Sequence, residues 1–278
     1  MNIKPVPKIY ASQEVKHIYT RLEESFELKS PPLFFTYIGA FPEYLEYISN
    51  QIILVASHSQ FRKMTTDLSI NIAELIHTMR YLAPMTEWQN LNKDYLDVLQ
   101  HDLTLQKTFI INIRLAIIFI GIREAVKGWA VAGKQLPKVH GNETKYEDVT
   151  ISRDMFIFGH NEETPFVEKG ISVVSHDINP NRTGLSRNVT GEYYHLCKQD
   201  FAKHMHSERF LMIRLQLEKM LLMMLPVLPS TIVSPINVVF DLVEKYPNFS
   251  ELLYVLTDQF PTLAVQRMMF SGYMLFHK

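Results

Sequence analysis

The stretch from Ser30 to Asn50, SPPLFFTYIGAFPEYLEYISN, constrains the fold more than any other. Two prolines open it, a short apolar run follows, and Phe41-Pro42 breaks that run. A second apolar helix then begins with Pro42 in its first turn, where a missing N–H costs little. A related pattern returns near the C-terminus as SPINVVFDLVEKYPNFSELLYV, Ser234 to Val255. An offset of 205 residues takes Pro42 to Pro247, Phe35 to Phe240, Phe41 to Tyr246, Tyr44 to Phe249, Glu46 to Glu251 and Ile48 to Leu253. The two Ser-Pro pairs are offset by 204, one residue fewer. This reads as an internal duplication of one helix-break-helix unit.

The rest of the chain repeats the helical theme. Ser12 stands where an N-cap is expected, with Glu14 in the first turn and Val15, Ile18, Tyr19, Leu22 and Phe26 along one face. A long helical region over 44–82 follows, with a break near His58, a stripe of Ile70, Ala73, Ile76 and His77, and Pro84 as its end. Residues 88–133 read as one or two helices, opened by a stripe of Leu91, Tyr95, Val98, Leu99 and Leu103 and stopped at Gly128 or Gly133. The runs Phe109–Val126 and Phe210–Pro229 are the most apolar. Arginines and a Glu-Lys pair interrupt them, so both are expected as core helices and not membrane spans. Between 134 and 191 the helical stripe disappears, and this stretch holds half of the ten glycines. Its short patches at 149–151, 156–158 and 171–174 look β-like, within a long irregular linker. Helices resume at Glu192 and run to Leu225, and Pro261 opens the last one. The expected fold class is therefore all-α: two related helical repeats about a pseudo-twofold, 1–133 and a shorter 192–278, joined by a linker over 134–191.

Charge and cysteine usage exclude several functions. With a formal net charge of −1 there is no basic excess to attract nucleic acid or an anionic membrane. The single cysteine, Cys197, cannot form an intramolecular disulfide or a CxxC pair, and His195 is too close in sequence to activate it. His204 and His206 point to opposite sides of a helix, so no metal site is expected, and no cofactor motif occurs. The N-terminus lacks an apolar signal core, which suggests a cytoplasmic protein.

The residues Glu14-Val15-Lys16-His17-Ile18-Tyr19, Pro31-Pro32-Leu33-Phe34-Phe35 and Phe41-Pro42-Glu43-Tyr44-Leu45 resemble the Group I α-halocarboxylic acid dehalogenases. The resemblance covers about the first 130 residues well and the C-terminal unit loosely. It implies an all-helical tandem of two repeats and hydrolysis of 2-haloacids by an activated water, without a covalent ester. It also implies a base eight residues before the second aromatic-Pro break, a position held here by Val239. The nearest carboxylate is Asp241, two helical steps and roughly 200° away. Asn112, in FIINIRLAIIF, matches the family's asparagine. Asn112 would then position substrate and Asp241 activate water, with Arg114 as a bidentate clamp for the acid. Phe34, Tyr37, Asn237 and Val239 would line the seat between the repeats.

Each of these residues also has a plainer role, Asn112 as a satisfied core amide, Arg114 in an ion pair with Glu124 or Asp102, and Asp241 on a solvated face. The alternative function is a non-catalytic protein on the same scaffold that binds a small carboxylic acid or a lipid-like apolar ligand. A third places partner docking on the 134–191 insert. A homodimer is compatible with either.

Overall fold

The computed structural model describes residues 3–93, 103–133, 153–158 and 189–275, and among them every regular element is helical. The elements in chain order are α1 (Gln13–Phe26), α2 (Leu33–Ile38), α3 (Pro42–Ser57), α4 (Ser59–His77), α5 (Ala83–Leu91), α6 (Leu103–Gly133), α7 (Arg153–Phe158), α8 (Val189–His204), α9 (Glu208–Leu222), α10 (Ile236–Lys245), α11 (Phe249–Tyr254) and α12 (Phe260–Tyr273). A π-helical turn, Val255–Gln259, makes α11 and α12 continuous.

Local chemistry explains most of the boundaries. Ser12 Oγ accepts from Val15 N–H at 3.3 Å and starts α1. Glu27, with φ 60°, ends it in the left-handed conformation that closes a helix. His58 is extended and divides α3 from α4, its Nδ1 accepting from Gln60 N–H at 3.2 Å. Pro84 opens α5 instead of closing α4, which already ends at His77. Proline fits either boundary, because a first-turn N–H has no intrahelical partner. Gly128 does not stop α6, which runs on to Gly133. The patch at 156–158 is helical in α7, not β-like; the patches at 149–151 and 171–174 and the residues Tyr95, Val98 and Leu99 lie outside the described residues.

Two helices form the centre. α6 and α12 run antiparallel, with Phe119 against Phe260 at one level and Asn112 against Arg267 at another. Both are buried nearly all round. α4 and α9 pack against both of them, α7 lies along α12, and α8 joins α12 to α5. α1 and α3 pair on the outside of α4. The other apolar run behaves differently: α9 buries Phe210, Ile213, Leu217 and Leu221 but leaves Leu211, Met212 and Leu215 exposed. In the stripes read from sequence, Ile76 is buried while Ile70, Leu91 and Leu103 are exposed.

Gly39 is required by close approach. A Cβ there would lie 1.9 Å from the Tyr19 hydroxyl, which donates to the Val6 carbonyl at 3.0 Å.

The two aromatic-Pro corners pack on each other. Phe41 meets Tyr246 edge-on at 5.5 Å and Phe249 at 5.4 Å; Tyr44 meets Phe249 at 5.1 Å. Polar contacts fix this seam. The hydroxyls of Tyr44 and Ser234 lie 3.3 Å apart, and burial pushes the Tyr44 phenol up to about 12. Gln51 donates to the Val233 carbonyl at 3.1 Å and accepts from its N–H at 2.8 Å, as a neighbouring strand would. Lys245 pairs with Glu43 across the rim. The corners differ in detail: Pro42 is the first residue of α3, whereas Pro247 lies in a turn two residues before α11.

Candidate functional site

An aromatic nest is built around α2, the helix just before the Phe41 corner. α2 contributes Phe34 and Tyr37, three residues apart and so on one face. α6 contributes Phe119, α7 contributes Phe156 and α12 contributes Phe260. Ring centroids lie at 4.6 Å for Phe34–Phe119, 4.9 Å for Phe34–Phe156, 5.2 Å for Phe34–Phe260 and 5.4 Å for Phe156–Phe260. Tyr37 closes one side against Phe156 and Phe260, at 5.5 and 5.9 Å. Its ring is half-buried, and that burial raises the phenol. The four phenylalanines are buried.

The π turn sets the direction of Phe260. Pro261 has no N–H to return to Thr257, and a proline ring inside a regular helix collides with the carbonyl four residues back. The wider turn at Val255–Gln259 relieves that collision; within it the Thr257 hydroxyl donates to the Leu253 carbonyl at 2.9 Å. An inserted residue rotates everything after it by about 100°. α12 meets α6 with Phe260 and Arg267 in line, since seven residues are two helical turns.

One heptad along the same α6–α12 interface the contact becomes polar. Arg267 Nε donates to Asn112 Oδ1 at 3.1 Å, and both residues are buried. Asn112 and Phe119 are seven residues apart on α6, and Phe260 and Arg267 are seven apart on α12. Two helical turns bring each pair onto one face, roughly 10 Å apart. α7 packs along α12 beside this interface. Its Phe158 carbonyl accepts from Tyr194 at 2.5 Å, and its Phe158 ring packs on Phe270 at 4.8 Å and beneath Lys198 at 4.7 Å.

The residues expected to carry chemistry separate in space. Phe34 and Tyr37 are in the nest, and Asn112 lies beyond it. α10 turns Val239 inward, fully buried, and leaves Asn237 and Asp241 exposed. The burial expected of Asp241 as a base, and of Asn237 as a lining residue, is therefore not present. The helical rotation between 239 and 241 is the reason: with Val239 and Leu242 facing the core, position 241 faces water. Arg114 points away from Asn112 for the same reason. Its Nε donates to Thr65 on α4 at 3.1 Å. Glu124, expected as its ion-pair partner, pairs instead with Arg123, which also binds Glu218; Asp102 lies outside the described residues.

A second polar cluster lies at the other end of α12. Asp200 Oδ2 accepts from the Tyr273 hydroxyl at 2.6 Å and from Leu82 N–H at 3.0 Å, which supplies a cap to α5. Tyr193 donates to the Met274 carbonyl at 2.8 Å, and Tyr81 to the Tyr273 carbonyl at 2.8 Å. Cys197 is fully buried here, and burial pushes its thiol far up, away from the reactive thiolate. These groups tie α8 to the α4–α5 turn and to the end of α12.

Sequence reasoning did not find Phe119, Phe156, Phe260 or Arg267 as neighbours. Only the seven-residue spacings carried a signal, and these do not say which helices meet. Among the described residues no group of three or more His, Cys, Asp or Glu is placed to hold a metal, and no helix is long and apolar enough to cross a membrane. Compared with known proteins, the chain matches no family model, no curated protein and no solved structure.

Proposed function

We propose that the chain is a non-hydrolytic binding protein for a small apolar ligand, built as two related helical units that clasp the ligand at their seam. The observation that carries this reading is the inversion on α10: Val239 is buried where a base is required, and the neighbouring acid, Asp241, is exposed. A general base must reach the water it activates, within about 3 Å. The nest itself offers rings suited to an aromatic or branched aliphatic group, and Asn112 with Arg267 supplies a polar anchor further in. The tandem origin is supported by the corners. Phe41 and Tyr246 are counterparts under the 205-residue offset, and so are Tyr44 and Phe249, and each pair is in contact. In a tandem of two related units, a twofold axis passing between the corners would bring such counterparts into contact.

The test has two arms. The purified protein, incubated with L- and D-2-chloropropionate, is expected to release halide no faster than buffer alone. Ethylbenzene and 1-decanol are expected to raise the melting temperature of the wild-type protein, and Phe260→Ala to weaken that effect. Halide release that Asp241→Asn abolishes would overturn the proposal, as would the absence of stabilisation by either apolar probe.

A further inference from the structure

The structure holds a buried cation with no acid in hydrogen-bond contact among the described residues. Arg114 is 8% exposed, and its one hydrogen bond among the described residues is the Nε donation to Thr65 at 3.1 Å. The hydroxyl of Thr65 donates in turn to the Arg62 carbonyl at 3.0 Å, so its proton is committed. The nearby acid is also committed. Glu27 Oε1 accepts from Arg62 Nη1 at 2.8 Å, and Arg62 also donates to the carbonyls of Ser25 and Ala56. Burial and the Arg62 charge both press the Arg114 guanidinium toward losing its proton, while Glu27 opposes them. The terminal Nη groups of Arg114 thus have no protein acceptor among the described residues, although neither is sealed from solvent. Its neighbours one turn away, Ile110, Ile111, Ile117 and Ile118, are apolar.

A folded chain rarely leaves a guanidinium nine-tenths buried and unpaired, because desolvation costs several kcal/mol unless an anion repays it. The free edge of this guanidinium offers two parallel N–H donors, which match the two oxygens of a carboxylate. Glu27 sets the charge limit, since two guanidiniums and one carboxylate leave a net charge of +1. We propose that Arg114, with Arg62 and Thr65 behind it, is a binding site for the carboxylate of a small monoanionic organic acid, between α4 and α6. This site is separate from the seam, because Arg114 lies on the face of α6 turned away from Asn112 and Phe119.

The probe is sodium propionate, with propionamide and sodium chloride at matched concentration and ionic strength. Propionate is expected to raise the melting temperature in a saturating manner, by about 3 °C at ten times its dissociation constant. Propionamide and chloride are expected to give no saturable shift. Arg114→Met is expected to lose the propionate effect while remaining as stable as the wild type in carboxylate-free buffer. Arg114→Lys, which keeps the charge but not the parallel donors, is expected to bind at least tenfold more weakly. The proposal is overturned if propionate and propionamide act alike, if Arg114→Met keeps the propionate shift, or if that variant is markedly less stable without any carboxylate. A saturable shift with inorganic phosphate larger than that with propionate would also overturn the carboxylate assignment. None of these results bears on the seam's apolar probes, ethylbenzene and 1-decanol, which are uncharged.

Discussion

Phe156→Ala separates a docked segment from an integral part of the core. A six-residue helix has no independent stability in water, so α7 persists only through what it touches. Those contacts are Phe156 in the nest, the buried side chains of Ile157 and Phe158, the Tyr194 hydrogen bond and the Lys198–Phe158 contact. An aromatic side chain buries roughly 150–250 Å², which at about 25 cal/mol per Å² is about 4–6 kcal/mol for the whole side chain. Alanine keeps the Cβ, and core Phe→Ala changes cost about 3–5 kcal/mol. At about 3 kcal/mol the undocked population of α7 rises roughly 150-fold, since each 1.4 kcal/mol is tenfold. The loss should be local, because α1–α6 and α8–α12 remain packed on one another without α7. The expected result is chymotryptic cleavage within 153–158 accelerated on the order of a hundredfold, while the urea midpoint falls less than in Phe260→Ala, whose ring stands on a central helix. Two results would refute this reasoning: a global loss equal to that of Phe260→Ala with the segment still protected, or no change in cleavage at all.

Gly39→Ala should cost at least about 2 kcal/mol in urea melts, because the new methyl overlaps the Tyr19 hydroxyl; adding Tyr19→Phe should recover part of that loss. Burial holds the His77 imidazole at about 4, and a hydrogen bond with the Gly272 backbone only partly offsets this. Its folded pKa lies below the unfolded value near 6.5, so the native state binds fewer protons. The His77 contribution is therefore intact above pH 6.5 and lost as the pH falls toward 4, and His77→Gln should flatten that limb of a pH–stability curve. Asp200→Ala leaves the Tyr273 hydroxyl and the Leu82 N–H without their acceptor, for an expected loss of about 3 kcal/mol by urea titration.

Helices were legible in this sequence wherever an apolar stripe met a capping residue. The stripe from Val15 to Phe26 began at Ser12, and the break at His58 lay where the spacing faltered. Glycine and proline were less decisive. Gly128 lies inside α6, where an interior glycine costs only about 1 kcal/mol and does not by itself end a helix. Three apolar residues at 156–158 do not distinguish strand from helix, because a run that short fits either period. Nor did apolar content alone show that α9 would leave Leu211, Met212 and Leu215 in water. At the site, the rotation separating Val239 from Asp241 could be read from sequence and matches their burial. The pairing of Asn112 with Arg267 could not, since 155 residues separate them and no local rule links two helix faces.

That pairing also sets the register of the central helices. Sliding α12 by one turn along α6 would carry the Arg267 guanidinium toward the rings at Phe119 and leave Asn112 Oδ1 among apolar side chains. An orphaned buried amide costs about 1–3 kcal/mol and an orphaned buried charge more, so every slipped packing is penalised at both levels. Aromatic rings alone would not impose this, because apolar surfaces tolerate sliding. The polar pair therefore makes the nest specific: it fixes Phe260 opposite Phe119 and, through the π turn, fixes where α11 meets the Phe41 corner. The geometry at the seam is in this sense a consequence of one hydrogen-bonded pair deep between α6 and α12.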